Sequence, residues 1–285
     1  MKKNIYAIIF LFLLLIFSIT SYAQVDLSLD LSRKSYIQYE NIICKINMKN
    51  NTGHPLIFGN NANLKGNIYF IIKNSNGKTW STKEEKINPF NSDIIEPGES
   101  SLSTVSVSSL LPLNEPGNYS IYAIFEYPQL KEPYRSSSVS FSIEKGSTVW
   151  KAEIGIPSFG EKTEVIEGRQ YVLKTVYDGK NKLFVLIIEN ASHVYGVARL
   201  GYDIGIKKPE FMIDRFSKLH ILIQTSPDIF SYFVYDPDCK LEKKEVYKKS
   251  DTSMPTLIKD EKTGQIIVAG GLKAENGRDY IEGKN

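Results

Sequence analysis

FMIDRFSKLHILIQTSPDIFSYFVYDPDCKLEKKEVY, residues 211–247, holds three strand patterns in succession with a turn signal in each gap. Leu219 to Gln224 is a nearly continuous apolar run, Phe230 to Tyr235 is rich in aromatics, and Leu241 to Tyr247 mixes charged and apolar side chains. Ser226-Pro227-Asp228 and Asp236-Pro237-Asp238 separate them. Pro presets φ for a turn, and Asp hydrogen-bonds its own backbone two residues on. The stretch reads as a β-meander whose first two strands are buried on both faces. The third, carrying Glu242, Lys243, Lys244 and Glu245, reads as an edge strand guarded by charge.

Outward from this stretch, the C-terminal half repeats one unit. YVLKTVYDGKNKLFVLII from Tyr171, PEFMIDRFSKLHILIQ from Pro209 and PTLIKDEKTGQIIVAGG from Pro255 are each a strand, an Asp near a polar turn, and a second apolar strand. Leu183, Leu219 and Ile266 fall at equivalent places, 36 and then 47 residues apart. That period resembles a β-propeller blade, but the 140 residues from Gly146 onward make about three blades, and closed propellers need at least four. A compact antiparallel assembly leaning on the N-terminal half is therefore expected, with a propeller fragment completed by a second copy as the alternative. Gly270-Gly271 is read as the end of the final strand.

The N-terminal half alternates differently. Val25, Leu27, Leu29 and Leu31 interleave with Asp26, Ser28, Asp30 and Ser32, the period-two mark of a half-buried strand, and Ile42 to Met48 does the same. Further strands are expected at Leu56 to Phe58, Ile68 to Lys73, Ser101 to Val107, Tyr119 to Tyr127 and Val139 to Ile143. Ser35 to Asn41 reads as a polar connection, and Asn50 to Pro55 and Asn74 to Lys78 read as turns. About seven short strands with regular turns predict a two-sheet sandwich. The segments INMKNNTGHPLIFG, IYFIIKNSNGKTW, IIEPGES and LNEPGNYSIYAIFEY resemble bacterial Ig-like domains similar to the intracellular proteinase-inhibitor type, over roughly Val25 to Lys145. The resemblance implies the sandwich fold and, more remotely, inhibition of a proteinase, although fold alone does not carry function. Fold class is thus expected to be all-β: a signal peptide at 1–23, an Ig-like sandwich at 24–145 and a blade-like repeat region at 146–285.

Met1-Lys2-Lys3, the apolar run Ala7 to Ile19 and Ser21-Tyr22-Ala23 form a secretory signal with cleavage after Ala23. The run is shorter than a bilayer-spanning helix, which needs about 20 residues, so a periplasmic or secreted chain without a membrane span is expected. The signal peptide is a departure from the resembling family and contradicts its intracellular setting. The formal charge of +3 falls to +1 with the two lysines removed, and the remaining Lys are spread among Asp and Glu. No clustered basic face for nucleic acid is indicated. Asn, Lys and Ile usage points to an AT-rich bacterial source.

Chemistry-bearing patterns are sparse. Cys44 alternates with Ile42, Ile46 and Met48 on the inward face of a strand, while Cys239 sits in the DPDC turn. They read as a core thiol and an exposed turn thiol, with a disulfide as the alternative. The three histidines, His54, His193 and His220, show no metal-ligand spacing, so no metal and no cofactor is expected. Asp236-Pro237-Asp238 supplies too few carboxylates for a calcium loop. Ser158-Phe159-Gly160 lacks the context of a nucleophile elbow. Trp80 reads as packing on a core edge. Asp214, Arg215 and His220 lie near one another along the central hairpin and are the candidate site residues should a cleft exist there. The sequence therefore points to an exported, non-catalytic binding or interaction protein with exposed Tyr-rich edges, its partner a protein or glycan outside the cytoplasm, and with homo-oligomerisation open. Alternatives are a proteinase inhibitor, or an enzyme acting on an extracellular polymer with its site at the domain junction.

Overall fold

The computed structural model describes residues 24–58, 65–85, 88–90, 93–160 and 163–281, with the backbone alone described at 157–160 and 163–167; the signal-peptide reading of residues 1–23 lies outside them. The chain is all-β, and a 3-10 turn at Lys83–Glu85 is the one helical element among the described residues.

Eleven strands make up the first half: β1 (Val25–Leu31), β2 (Ser35–Ile37), β3 (Ile43–Asn50), β4 (Leu56–Ile57), β5 (Asn67–Asn74), β6 (Thr79–Ser81), β7 (Ile94–Ile95), β8 (Ser100–Ser106), β9 (Gly117–Glu126), β10 (Tyr134–Arg135) and β11 (Val139–Glu144). One sheet runs β1-β3-β8; a second runs β2-β11-β9-β5-β6 with β10 beside β9; β4 and β7 form a small pair. The alternation read in the sequence is the cause of this arrangement. Leu27 and Leu31 face Met48 and Cys44 across the β1–β3 ladder, and this inward face meets Ile68, Phe70 and Ile72 of β5 and Tyr119, Ile121, Ala123 and Phe125 of β9 in one core. Each fully buried Leu, Ile or Phe contributes on the order of 1.5–3 kcal/mol, so the two inner faces hold the sandwich.

The corners are set by side chains. Asn50 is fully buried, donating to the carbonyls of His54 and Ile95 at 2.9 Å each while its carbonyl accepts from Thr52, which explains the Asn-rich turn after β3. The Tyr119 hydroxyl donates to the Glu115 carbonyl at 2.5 Å, clamping the Pro116-Gly117 corner in the manner of the tyrosine corners of β-sandwiches. Gly66 is required by crowding, because a Cβ there would lie 2.7 Å from the Phe125 ring. Trp80 packs on the core edge, 5.9 Å from the Tyr119 ring.

The second half continues with β12 (Ser147–Gly160), β13 (Thr163–Tyr177), β14 (Lys182–Glu189), β15 (Val194–Tyr202), β16 (Glu210–Ile213), β17 (Leu219–Gln224), β18 (Ile229–Tyr235), β19 (Leu241–Lys248), β20 (Thr256–Lys259), β21 (Ile266–Ala269) and β22 (Leu272–Lys273). β12 to β15 form one antiparallel meander, β16 to β19 another with β22 added to its edge, and β20–β21 a separate hairpin. The meanders pack face to face through Tyr171, Leu173, Phe184 and Leu186 on one side and Leu219, Ile221, Ile223 and Phe233 on the other. The hairpin covers the far face of the second meander with Leu257 and Ile266 against Leu222, Tyr232 and Val234. As the sequence indicated, β17 is buried throughout and β18 nearly so; β19 is exposed over Leu241 to Lys244, but it is an edge only there, because β22 pairs with it at Tyr247 and Lys248.

The repeat is one of hairpins. Asp178, Asp214 and Asp260 each cap their turn by accepting two backbone N–H bonds. Leu183, Leu219 and Ile266 are all buried just after such a turn, yet Leu183 lies on the third strand of its meander and Leu219 on the second of its own. The spacing thus follows the turn chemistry, not the position of a strand in its sheet.

Four readings need correction. Ser35 to Asn41 is not simply a polar connection: β2 pairs in parallel with β11, Tyr36 enters the sandwich core, and Ile37 packs with Val172, Val185 and Ile187 of the second half. Gly270-Gly271 does end the strand before it, β21 at Ala269, but that strand is not the final one: both glycines have positive φ, 73° and 66°, and they turn the chain into β22. Cys239 adopts φ 64° as a turn residue, but it is not exposed, since it packs with the core between the meanders beside Gly196. Nor are the edges rich in exposed tyrosine: Tyr36, Tyr119, Tyr171, Tyr232 and Tyr235 are buried, and among the described residues Tyr39 and Tyr177 are the ones left clearly outside. Both cysteines are free thiols, each pushed up to about 12 by burial first, with Asp30 beside Cys44 and Asp236 beside Cys239 adding to it.

Two outcomes follow. Ile37→Ala is expected to cost about 2–5 kcal/mol in urea unfolding, as for a fully enclosed aliphatic, and Tyr119→Phe about 1 kcal/mol through the lost corner bond. A thiol reagent at pH 8 is expected to label neither cysteine at an appreciable rate in the folded chain and both in urea, because only the thiolate reacts.

Candidate functional site

The structure brings two of the three candidate residues together. Asp214 ends the β16 side of its hairpin, its Oδ1 accepting the amides of Phe216 and Lys218 at 2.9 Å. Its Oδ2 lies 3.3 Å from His220 Nε2, and His220 Nδ1 lies 2.7 Å from the Tyr232 hydroxyl. A carboxylate only accepts, so a neutral imidazole donates from Nε2 to Asp214 and accepts at Nδ1 from Tyr232. Arg215 stays apart, exposed, with its guanidinium over the Phe216 ring at 4.7 Å. Tyr232 was missing from the sequence reading. Its signal was positional, since it shares the hairpin-covered face of β18 with Phe230 and Val234 and stands opposite Leu222.

This Asp–His–Tyr chain is closed to solvent: His220 is 7% exposed and Tyr232 3%. Burial first, then the charges of Glu245 and Asp214, push the Tyr232 hydroxyl up to about 12, so it stays protonated and fixed as a donor. The group is a polar tie across the second meander. His54 and His193 are exposed in turns, His193 edge-on to Tyr195 at 4.7 Å. Asp236 caps its turn through the amides of Asp238 and Lys240, as a turn residue rather than an ion ligand. Among the described residues no group of three or more His, Cys, Asp or Glu is placed to hold a metal ion.

An open concavity lies elsewhere, where the two halves and the two meanders meet. This cleft of about 660 Å³ has Phe233 and Tyr235 as its floor, and Arg33, Asp178, Arg199, Tyr202, Lys244 and Asp279 on its walls. Gly201 permits the approach of β15 to the turn after β17: its φ is 150°, and a Cβ would sit 3.0 Å from Thr225. Arg199 is held as a fork, Nε to Glu40 Oε1 at 2.7 Å and Nη2 to Glu40 Oε2 at 2.8 Å, with the Ser35 carbonyl at 3.1 Å. Partial burial opposes its charge, but the hydrogen bonds and charge of Glu40, with Asp178 nearby, outweigh it and raise the guanidinium further. Burial likewise opposes ionisation of Asp178, yet the Asn181 and Lys180 amides, Arg199 and Tyr202 hold its carboxyl below the usual range. At neutral pH the cleft therefore presents charges of both signs whose positions are already set.

A second charged cluster sits on β19. Partial burial works against the Glu245 carboxylate, but Lys273 at 2.8 Å, the Tyr247 hydroxyl at 2.8 Å and Lys243 at 3.1 Å outweigh it and bring it down to about 2. A carboxyl whose folded value lies below its unfolded value near 4.5 stabilises the fold above pH 4.5 and loses that contribution as pH falls toward 2. Urea midpoints measured across that window are expected to fall less steeply for Glu245→Gln than for the unaltered chain.

No protein-family model and no curated protein matches this chain. Among solved structures, it is similar to a family 123 glycoside hydrolase from Clostridium perfringens at TM-score 0.27 and 13% identity, over 43% of this chain and only 27% of that one. It is similar to Spo0M, a sporulation control protein from Bacillus subtilis, at TM-score 0.30 and 11% identity over 74% and 80%, and to the YadV chaperone at 0.22 and 8% over 78% and 99%. Likenesses this distant decide nothing about what the chain does.

Proposed function

We propose that this chain is an exported binding protein, an Ig-like sandwich followed by a blade-like repeat region, that takes a protein or glycan partner outside the cytoplasm through the cleft at the seam of its two halves. One observation carries the reading: the cleft walls are charged and aromatic groups already locked by the Arg199–Glu40 fork and the Asp178 turn, around an apolar floor. A concave surface with an apolar base and a few fixed polar groups binds at low ordering cost. The His220 chain supports the same reading, since an imidazole enclosed between Asp214 and Tyr232 is spent on holding the sheet.

Binding of the mature chain to a glycan array and to an envelope extract tests this. Arg33→Glu on the rim and Tyr202→Ala on the wall are each expected to weaken the ligand so found by at least about tenfold, while Lys45→Glu, on the exposed face of β3, leaves it unchanged. A ligand bound equally well by both cleft variants, or the failure of both sources to yield any ligand, would overturn the proposal.

A further inference from the structure

The sheet β12-β13-β14-β15 ends at β12, whose outer edge carries no neighbouring strand among the described residues. This is a long edge, 14 residues against the short edges that proteins usually leave open. Its side chains alternate strictly over the middle. Trp150 and Ile154 turn inward onto the core between the meanders, Trp150 lying 4.2 Å from the Phe211 ring, while Lys151 and Glu153 stand outward and exposed. The Gln170 side chain donates to Glu153 Oε1 at 2.8 Å and holds that carboxylate on the outer face. Lys151 has no charged partner among the described residues.

An edge defended by charges of one sign repels its own copy, whereas this one carries opposite charges two residues apart. When two such edges run antiparallel about a two-fold axis through Ala152, Lys151 of each copy stands opposite Glu153 of the other, and Trp150 stands opposite Ile154 on the inner face. The regular ladder about this centre runs from Trp150 to Ile154, since the β12 register shifts at Val149 and Pro157 has no N–H to give on the other side. An isologous interface must be complementary to itself, and the segment 150–154 is so in charge and inner-face apolarity.

We infer that β12 pairs with β12 of a second copy of this chain, antiparallel and centred on Ala152, joining two meanders into one eight-stranded sheet. The association needs no ligand and uses no residue of the cleft, so it stands or falls apart from the binding reading.

Sedimentation of the mature chain over a concentration series tests it. The unaltered chain is expected to dimerise, less tightly as salt is raised. Lys151→Glu and Glu153→Lys each place like charges opposite one another twice and are expected to weaken the dimer at least about tenfold. The double exchange Lys151→Glu with Glu153→Lys restores opposite pairs and is expected to return affinity to within about threefold of the unaltered chain, a rescue that only this antiparallel register gives. Both side chains are exposed, and matching circular dichroism of all four proteins checks that the fold is kept. A chain that stays monomeric to about 1 mM overturns the inference. So does a dimer indifferent to the single changes, and so does a double exchange as weak as the singles.

Discussion

Six residues, Ser35 to Glu40, carry the constraint on which the rest of the structure depends. β2 alternates like any strand, and its two faces serve different cores: Tyr36 packs into the sandwich and Ile37 into the apolar layer on the first meander. The chain then turns through Tyr39 at φ 71°, a conformation that L-residues adopt at a cost. That turn brings the Glu40 carboxylate back to accept the Ile37 amide at 2.9 Å and to receive both arms of Arg199. Neither half completes its own hydrogen bonding at this seam, because the Ser35 carbonyl is satisfied by Arg199 and the Arg199 fork by Glu40. A lysine would not replace that arginine, since a single ammonium cannot span two carboxylate oxygens in a plane.

From this seam the molecule builds outward as layers. The first meander is apolar on both faces, with Val185 and Ile187 toward β2 and Phe184, Leu186 and Ile188 toward the second meander. The second meander repeats the pattern under the β20–β21 hairpin. Each layer covers the next, which leaves polar chemistry, apart from the enclosed Asp214–His220–Tyr232 chain, largely to the margins: the cleft at one side, the salt-bridged face of β19 at another, and the free edge of β12.

What could be read from residues alone was whatever is periodic or local. The alternations of β1, β3 and β9 mark their inward faces directly, and Asp or Asn at the head of each hairpin announces its turn by a bond two residues long. β2 escaped notice because three residues are too few for a period, and its neighbours, Lys34, Gln38 and Glu40, are polar. The site was less legible. Asp214 and His220 lie six residues apart and were seen, whereas Tyr232 reaches His220 through cross-strand register, and Glu40 meets Arg199 across 159 residues with no local trace. Cys239 was misplaced for a related reason. Turn chemistry correctly gave its backbone, while the direction of its sulfur depended on Gly196 in another strand leaving space.

The placement of the two thiols has a further consequence for how such a chain matures. Cys44 and Cys239 are unreactive only once their sheets have closed, so their chemical vulnerability is confined to the interval between synthesis and assembly. In an oxidising surrounding, the hazard of a wrong crosslink is then a race between sheet closure and oxidant, and for Cys239 that race ends only when the second meander docks on Gly196 of the first, since the local β18–β19 hairpin alone leaves the thiol open.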